Sequence, residues 1–306
     1  MPRPAAAPAV VTVRAFAKIN LDLRVLGLLP DGYHEVRTVL QSVRLHDTLT
    51  FTPTRGRFAI ECDVPGVPRD SRNLVWKAAT LLHRACRRRL GDPAGVRVTL
   101  TKRIPTEAGL GGGSSDAAAT LLALTRLWRL DLDVPTLWRL GARLGADVPF
   151  FLAGGTVLGA GRGDDISPLA EGPRAWVVLV KPRFGVSTPE AYRWFDEDGP
   201  RRRGRGGRRL PSIWPAWAAA VGNDLEAPVA RRHPQIRQIV RALTLRGADY
   251  AAMSGSGSAV FGLFASGEAA RGCHAAMTRR GWDAWATQTL SRATLAREHQ
   301  RVLAGG

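Results

Sequence analysis

The chain reads as an α+β protein, with strands and helices mixed and no strict βαβ alternation. Two observations predict this. Short alternating or continuous apolar runs, as at residues 96–102 and 176–180, read as strands, whereas residues 117–128 and 234–245 carry apolar side chains at helical spacing. At 306 residues the chain is long enough for two domains or one large one, and 45% hydrophobic content supports a real core.

Taken in order, residues 1–10 are rich in Ala and Pro and read as a disordered lead-in rather than a signal peptide. Strand material at 11–16 and 21–26 flanks the segment Ala17-Lys18-Ile19-Asn20. Asp31-Gly32 marks a turn, and further strands are expected at 36–40 and 48–52. Residues 73–89 form a helix capped by Asn73 or Ser71, and the strand at 96–102 feeds a glycine-rich loop. Ser114 or Ser115 is expected to N-cap the helix at 117–128, and a helix at 134–144 has Pro135 in its first turn. The apolar run 176–180 opens a second half as a buried strand. Helices follow around 215–221 and 234–245, then a strand at 259–264, a helix at 268–280 and a last strand at 282–288. No internal repeat of fixed period is visible.

Net charge is +18, and only four of the 44 basic residues are lysines. Nucleic-acid binding is one reading of such a balance. The arginines are spread over many segments rather than gathered on one element with interleaved aromatics, which favours a compositional bias and a field that attracts polyphosphates. The cluster Arg201 to Arg209, interspersed with glycines, reads as a solvated loop without a catalytic role. No apolar stretch approaches the length of a membrane span. Cys62, Cys86 and Cys273 match neither a metal-ligand spacing nor a disulfide framework, so a cytoplasmic location is expected.

The chemistry is carried by the run Pro105, Thr106, Glu107, Ala108, Gly109, Leu110, Gly111, Gly112, Gly113, Ser114, Ser115. Backbone N–H groups can approach an anion closely where side chains are missing, and the following helix start adds free donors and a partial positive charge. Such a loop suits phosphate. It is not a Walker loop, because the chain has no Gly-Lys pair, and it lacks the third glycine of the dinucleotide fingerprint. Protein-kinase signatures are missing too.

Five further segments accompany the loop: Ala17-Lys18-Ile19-Asn20-Leu21, Asp31-Gly32-Tyr33-His34-Glu35, Leu144-Gly145-Ala146-Asp147-Val148-Pro149-Phe150, Gly185-Val186-Ser187-Thr188-Pro189, and residues 253–262 with their Ser-Gly-Ser-Gly-Ser core. Together and in this order they resemble the GHMP kinase superfamily over roughly residues 12–290. The resemblance implies an N-terminal domain like the second domain of ribosomal protein S5 (residues 1–170) and a ferredoxin-like C-terminal domain (171–306), with the active site in the cleft between them. It implies ATP as phosphoryl donor, with Mg²⁺, and a small alcohol as acceptor.

Within the superfamily, Asp-Gly-Tyr-His resembles the segment that faces the cytosine of a cytidylylated acceptor. Homoserine- and mevalonate-type kinases have no use for such an aromatic pair. A basic RNA-associated protein would account for the charge but leaves Lys18, Asp147 and the glycine loop unexplained.

On residue type alone, Asp147 reads equally as a helix-end residue. The resemblance implies that it is the base accepting the hydroxyl proton, with Lys18 stabilising transferred charge and Asn20 positioning substrate. Lys18 and Asn20 share a strand face, being two residues apart. Tyr33 and Tyr192 are implied to sandwich the base, with His34 hydrogen-bonding its edge. Gly255, Ser256 and Gly257 are implied to form the active-site wall. Metal ligands are not apparent, Ser115 being one possible oxygen donor.

Overall fold

Two long antiparallel strands, β1 (Val11–Leu28) and β2 (His34–Thr54), frame the first half. The computed structural model describes residues 10–90, 95–199, 214 and 220–304. Each strand replaces two expected short ones. The gaps held polar residues that break the apolar pattern, yet Gln41, Ser42 and Asp47 are buried and bonded internally. Register shifts between Phe16 and Ala17 and between Asn20 and Asp22 bracket the Lys18–Asn20 stretch. Such bulges re-aim side chains.

After β3 (Ala59–Cys62) comes α1 (Leu74–Leu90), where Asn73 Oδ1 accepts from the Val75 N–H and so selects Asn73 as the cap. β4 (Gly95–Thr101) leads into the glycine loop and α2 (Gly112–Leu127). Helices α3 (Val134–Ala142) and α4 (Val148–Ala153) and strands β5 (Thr156–Ala160) and β6 (Asp165–Pro168) complete this half. The sheet runs β3-β4-β2-β5-β6, with β1 pairing along β2. Phe51, Leu49, Val75, Leu82, Leu121 and Phe150 fill its core, each stabilising by roughly 1.5–3 kcal/mol through burial.

The second half holds β7 (Trp176–Lys181), α5 (Thr188–Asp198), α6 (Glu226–Arg232), α7 (Gln235–Leu245), β8 (Tyr250–Met253), β9 (Val260–Phe264), α8 (Gly267–Arg279) and β10 (Asp283–Gln288). Its sheet is ordered β10-β7-β9-β8, a ferredoxin-like arrangement. The C-terminal helix α9 (Arg292–Ala304) returns to pack on α2, β1 and α4 of the first half. Among the described residues no helix is long and apolar enough to cross a membrane.

One expectation fails at the key helix. α2 is capped not by Ser114 or Ser115 but by Gly111, whose φ of 71° lets the helix begin inside the loop. Ser115 N–H already donates to the Gly111 carbonyl in the helical ladder. The Arg201–Arg209 segment lies outside the described residues, as does most of the helix expected at 215–221.

Candidate active site

A cleft of about 1180 Å³ opens where the two halves meet, lined by the glycine loop, β1, the α3–α4 turn and the start of α5. Lys18 sits in its floor. The Lys18 backbone N–H donates to the Leu110 carbonyl (3.1 Å), which joins β1 to the glycine loop. Its ammonium donates to Asn20 Oδ1 at 2.6 Å, so the two side chains share a face as strand geometry requires. Asn20 Nδ2 in turn donates to Thr38 Oγ1 (2.8 Å), and that hydroxyl to the Asp22 carbonyl (2.7 Å). Thr38 escaped the sequence reading, because a threonine on a strand carries no distinguishing pattern.

Asp147 stands opposite, its Oδ2 3.7 Å from Lys18 Nζ. It occupies the N-cap position of α4, yet its side chain makes no capping bond and turns to the cleft. The helix-end reading and the cleft reading are therefore both true of its position, while its carboxylate serves only the second.

In the glycine loop, residues 105–114 line the cleft. Gly109 and Gly111 have positive φ, and both are tightly enclosed. A Cβ at Gly109 would fall 2.0 Å from the Ser254 carbonyl oxygen, and one at Gly111 2.5 Å from Phe151 Cζ. Ser115 faces away: it is buried and its hydroxyl donates to the Phe16 carbonyl at 2.6 Å. Its hydroxyl is engaged there and does not line the cleft.

Beneath the loop lies a charged cluster that the sequence did not reveal. Lys102 Nζ donates to Asp47 and, at 2.9 Å, to Asp116 Oδ2. Asp47 also accepts from the N–H groups of Arg103 (2.5 Å) and Ile104 (2.8 Å). Asp116 Oδ1 is buried without a hydrogen-bond partner, and burial pushes this carboxyl above its ordinary range. The attraction of Lys102 only partly offsets that.

At the far end His34 stacks on Tyr192, with centroids 4.6 Å apart and planes at 23°. His34 Nε2 lies 2.8 Å from Asp196 Oδ1; the carboxylate can only accept, which assigns the proton to Nε2. Burial and then the charge of Asp147 push the Tyr192 phenol up, so it stays neutral. Tyr33 does not face Tyr192. Tyr33 is 60% exposed and its ring lies under the Arg162 guanidinium at 4.6 Å, while Arg162 is ion-paired to Asp31. The expected tyrosine pair is thus not formed here, because His34 occupies a face of Tyr192. Tyr192 and Asp196 lie one helical turn apart on α5, whose Ser187–Glu190 capping box was legible in Ser-Thr-Pro-Glu but went unread.

Gly255 and Ser256 line the cleft, whereas Gly257 lies behind them against Met253. Among the described residues no group of three or more His, Cys, Asp or Glu is disposed to hold a metal.

Residues 73–155 match the model of the GHMP kinases N terminal domain and residues 211–283 that of the GHMP kinases C terminal domain. A protein of Moorella thermoacetica named 4-diphosphocytidyl-2-C-methyl-D-erythritol kinase is 46% identical over 269 residues, covering 86% of this chain and 93% of its own. The chain belongs to the GHMP kinases. A kinase of the same name from Pelotomaculum thermopropionicum is 42% identical over 92% of this chain and 99% of its own length. A crystal structure of 4-(cytidine 5'-diphospho)-2C-methyl-D-erythritol kinase superposes with a TM-score of 0.75 at 38% identity, covering 91% of this chain and 98% of that one. A homoserine kinase from Cytophaga hutchinsonii, at 18% identity and TM-score 0.66 over 95% of this chain and 97% of its own, shares the GHMP fold.

Proposed function

We propose that this GHMP kinase transfers the γ-phosphoryl group of ATP to the 2-hydroxyl of 4-diphosphocytidyl-2-C-methyl-D-erythritol, giving the 2-phosphate and ADP, as a step of non-mevalonate isoprenoid synthesis in the cytoplasm. The observation that carries it is the Lys18–Asp147 pair, 3.7 Å apart in a cleft that also contains the glycine loop and an aromatic site. The names of the relatives supply the acceptor.

In this reading the nucleotide phosphates lie on the N–H groups at the start of α2, where the helix end favours anions. The acceptor hydroxyl meets Asp147, which takes its proton as the oxygen attacks the γ-phosphorus. Lys18, held by Asn20, stabilises charge on the transferred group. The base of the acceptor stacks at Tyr192 in place of His34, which turns to its edge, and Tyr33 moves in from solvent as the second face. Gly255 and Ser256 close the phosphate end. A bound Mg²⁺ would neutralise phosphate charge during the transfer. Ser115 Oγ is engaged with the Phe16 carbonyl, and among the described residues no group of three or more His, Cys, Asp or Glu is disposed to hold the ion. We divide the chain near residue 170, between the two sheets, with α9 crossing back.

An assay coupled to ADP release tests this. Turnover of the cytidylylated acceptor should exceed that of homoserine and mevalonate by orders of magnitude. Equal turnover of either simple acceptor would overturn the substrate assignment.

A further inference from the structure

The loop from Ser254 to Ser258 is bound to more of the cleft than a wall requires. On one side it holds three successive carbonyls of the glycine loop. Ser258 N–H donates to Glu107 (3.3 Å), Ala259 N–H to Ala108 (3.1 Å) and Ser254 Oγ to Gly109 (3.0 Å). On the other side it holds the segment that leads into α5. Ser258 Oγ donates to the Phe184 carbonyl at 2.7 Å, and Ser256 Oγ lies 3.2 Å from Thr188 Oγ1. Ser258 alone grips both segments, and it is fully buried. The two segments also touch directly, since a Cβ on Gly185 would fall 2.2 Å from Glu107 Oε2.

We propose that Ser258 is a positioning residue that couples the two substrate sites. Its N–H fixes the phosphate loop and its hydroxyl fixes the segment carrying Ser187, Thr188 and Tyr192. Hydrogen bonds weaken steeply with distance and angle, so neither segment can shift without disturbing the other. Filling one site then orders the other, and by linkage the effect is reciprocal. The proposal rests on reading the cleft as joint nucleotide and acceptor sites.

Calorimetry on the full chain tests it, using the cytidylylated acceptor and a non-hydrolysable ATP analogue with Mg²⁺. In the unmodified enzyme the saturating analogue should tighten acceptor Kd at least about threefold, and in Ser258→Ala that ratio should fall to about one. Each Kd alone should move by less than about threefold, while kcat falls at least about tenfold. Should the alanine variant fail to fold, Ser258→Cys keeps the shape with a weak donor and should give an intermediate ratio. No coupling in the unmodified enzyme, or an undiminished ratio in a folded variant, overturns the proposal. Turnover is read separately, so an enzyme that couples the ligands but does not phosphorylate this acceptor refutes the substrate assignment instead.

Discussion

Lys18 Nζ and Asp147 Oδ2 lie 3.7 Å apart, with the lysine side chain 5% exposed and the aspartate 40%. The asymmetry suits a base that must meet an incoming hydroxyl while its cationic neighbour is fixed from behind by Asn20. Asn at position 147 keeps the shape and loses the proton-accepting charge. Asp147→Asn should lower kcat at least about a hundredfold and leave the affinity for an ATP analogue nearly unchanged. Turnover within a few-fold of the unmodified enzyme would remove Asp147 from the chemistry.

The glycines of the loop at residues 105–115 are not equivalent. Gly111 has a φ of 71°, and a Cβ there would meet Phe151 Cζ at 2.5 Å and Lys18 Cγ at 3.2 Å. Gly113 has no such φ, and its nearest neighbour would be Leu74 Cδ1 at 3.6 Å. Gly111→Ala should therefore weaken ATP binding at least about tenfold, from backbone strain and displacement of the ring. Gly113→Ala should stay within about twofold. Nucleotide affinity by calorimetry distinguishes them, and equal effects would contradict the loop geometry.

Asp116 provides a test in stability rather than rate. Burial raises its carboxyl, so the folded protein holds a proton that the unfolded chain releases from the ordinary aspartate value of 3.8 upward. The contribution is full below that value and is lost as pH rises towards the raised folded value. Asp116→Asn removes this dependence, keeps an acceptor for Lys102 and leaves Asp47 as the ammonium's counter-ion. Relative to the unmodified protein, its Tm should improve between about pH 5 and about pH 8. A Tm difference that is constant or falls over that range would show that Asp116 is ionised in the folded state.

Much of the cleft lining was legible because it comes from segments that are local in sequence. The glycine loop, Ala-Lys-Ile-Asn and Gly-Ala-Asp-Val-Pro each place their side chains within a few residues of a turn or bulge. Lys102, Asp47 and Asp116 were not legible, since they come together only when β2, β4 and α2 pack. The same holds for Ser258 and Phe184, 74 residues apart. In the fold, α4 is too short for a periodic signal, and β1 and β2 read as broken because their polar middles are satisfied by distant partners.

His34, Tyr192 and Asp196 give the last prediction. His34 is stacked on Tyr192 and held by Asp196, while Tyr33 lies out in solvent under Arg162. A base entering this site gains stacking worth about 1–3 kcal/mol per aromatic contact. It also meets a histidine whose Nδ1 is free to accept once Asp196 has claimed the Nε2 proton. Leaving such a group unpaired in a closed site is costly, so discrimination should be large. 2-C-methyl-D-erythritol 4-phosphate, which lacks the nucleotide, should show kcat/KM at least about a hundredfold lower, equivalent to roughly 2.7 kcal/mol. Tyr192→Ala should raise KM for the cytidylylated acceptor and leave that for ATP unchanged. Asp196→Asn should raise the same KM more modestly, because it loosens the histidine without removing the aromatic surface. If the two acceptors were used with comparable efficiency, the aromatic cluster would be packing alone, and the chain would be a GHMP kinase for a simpler alcohol.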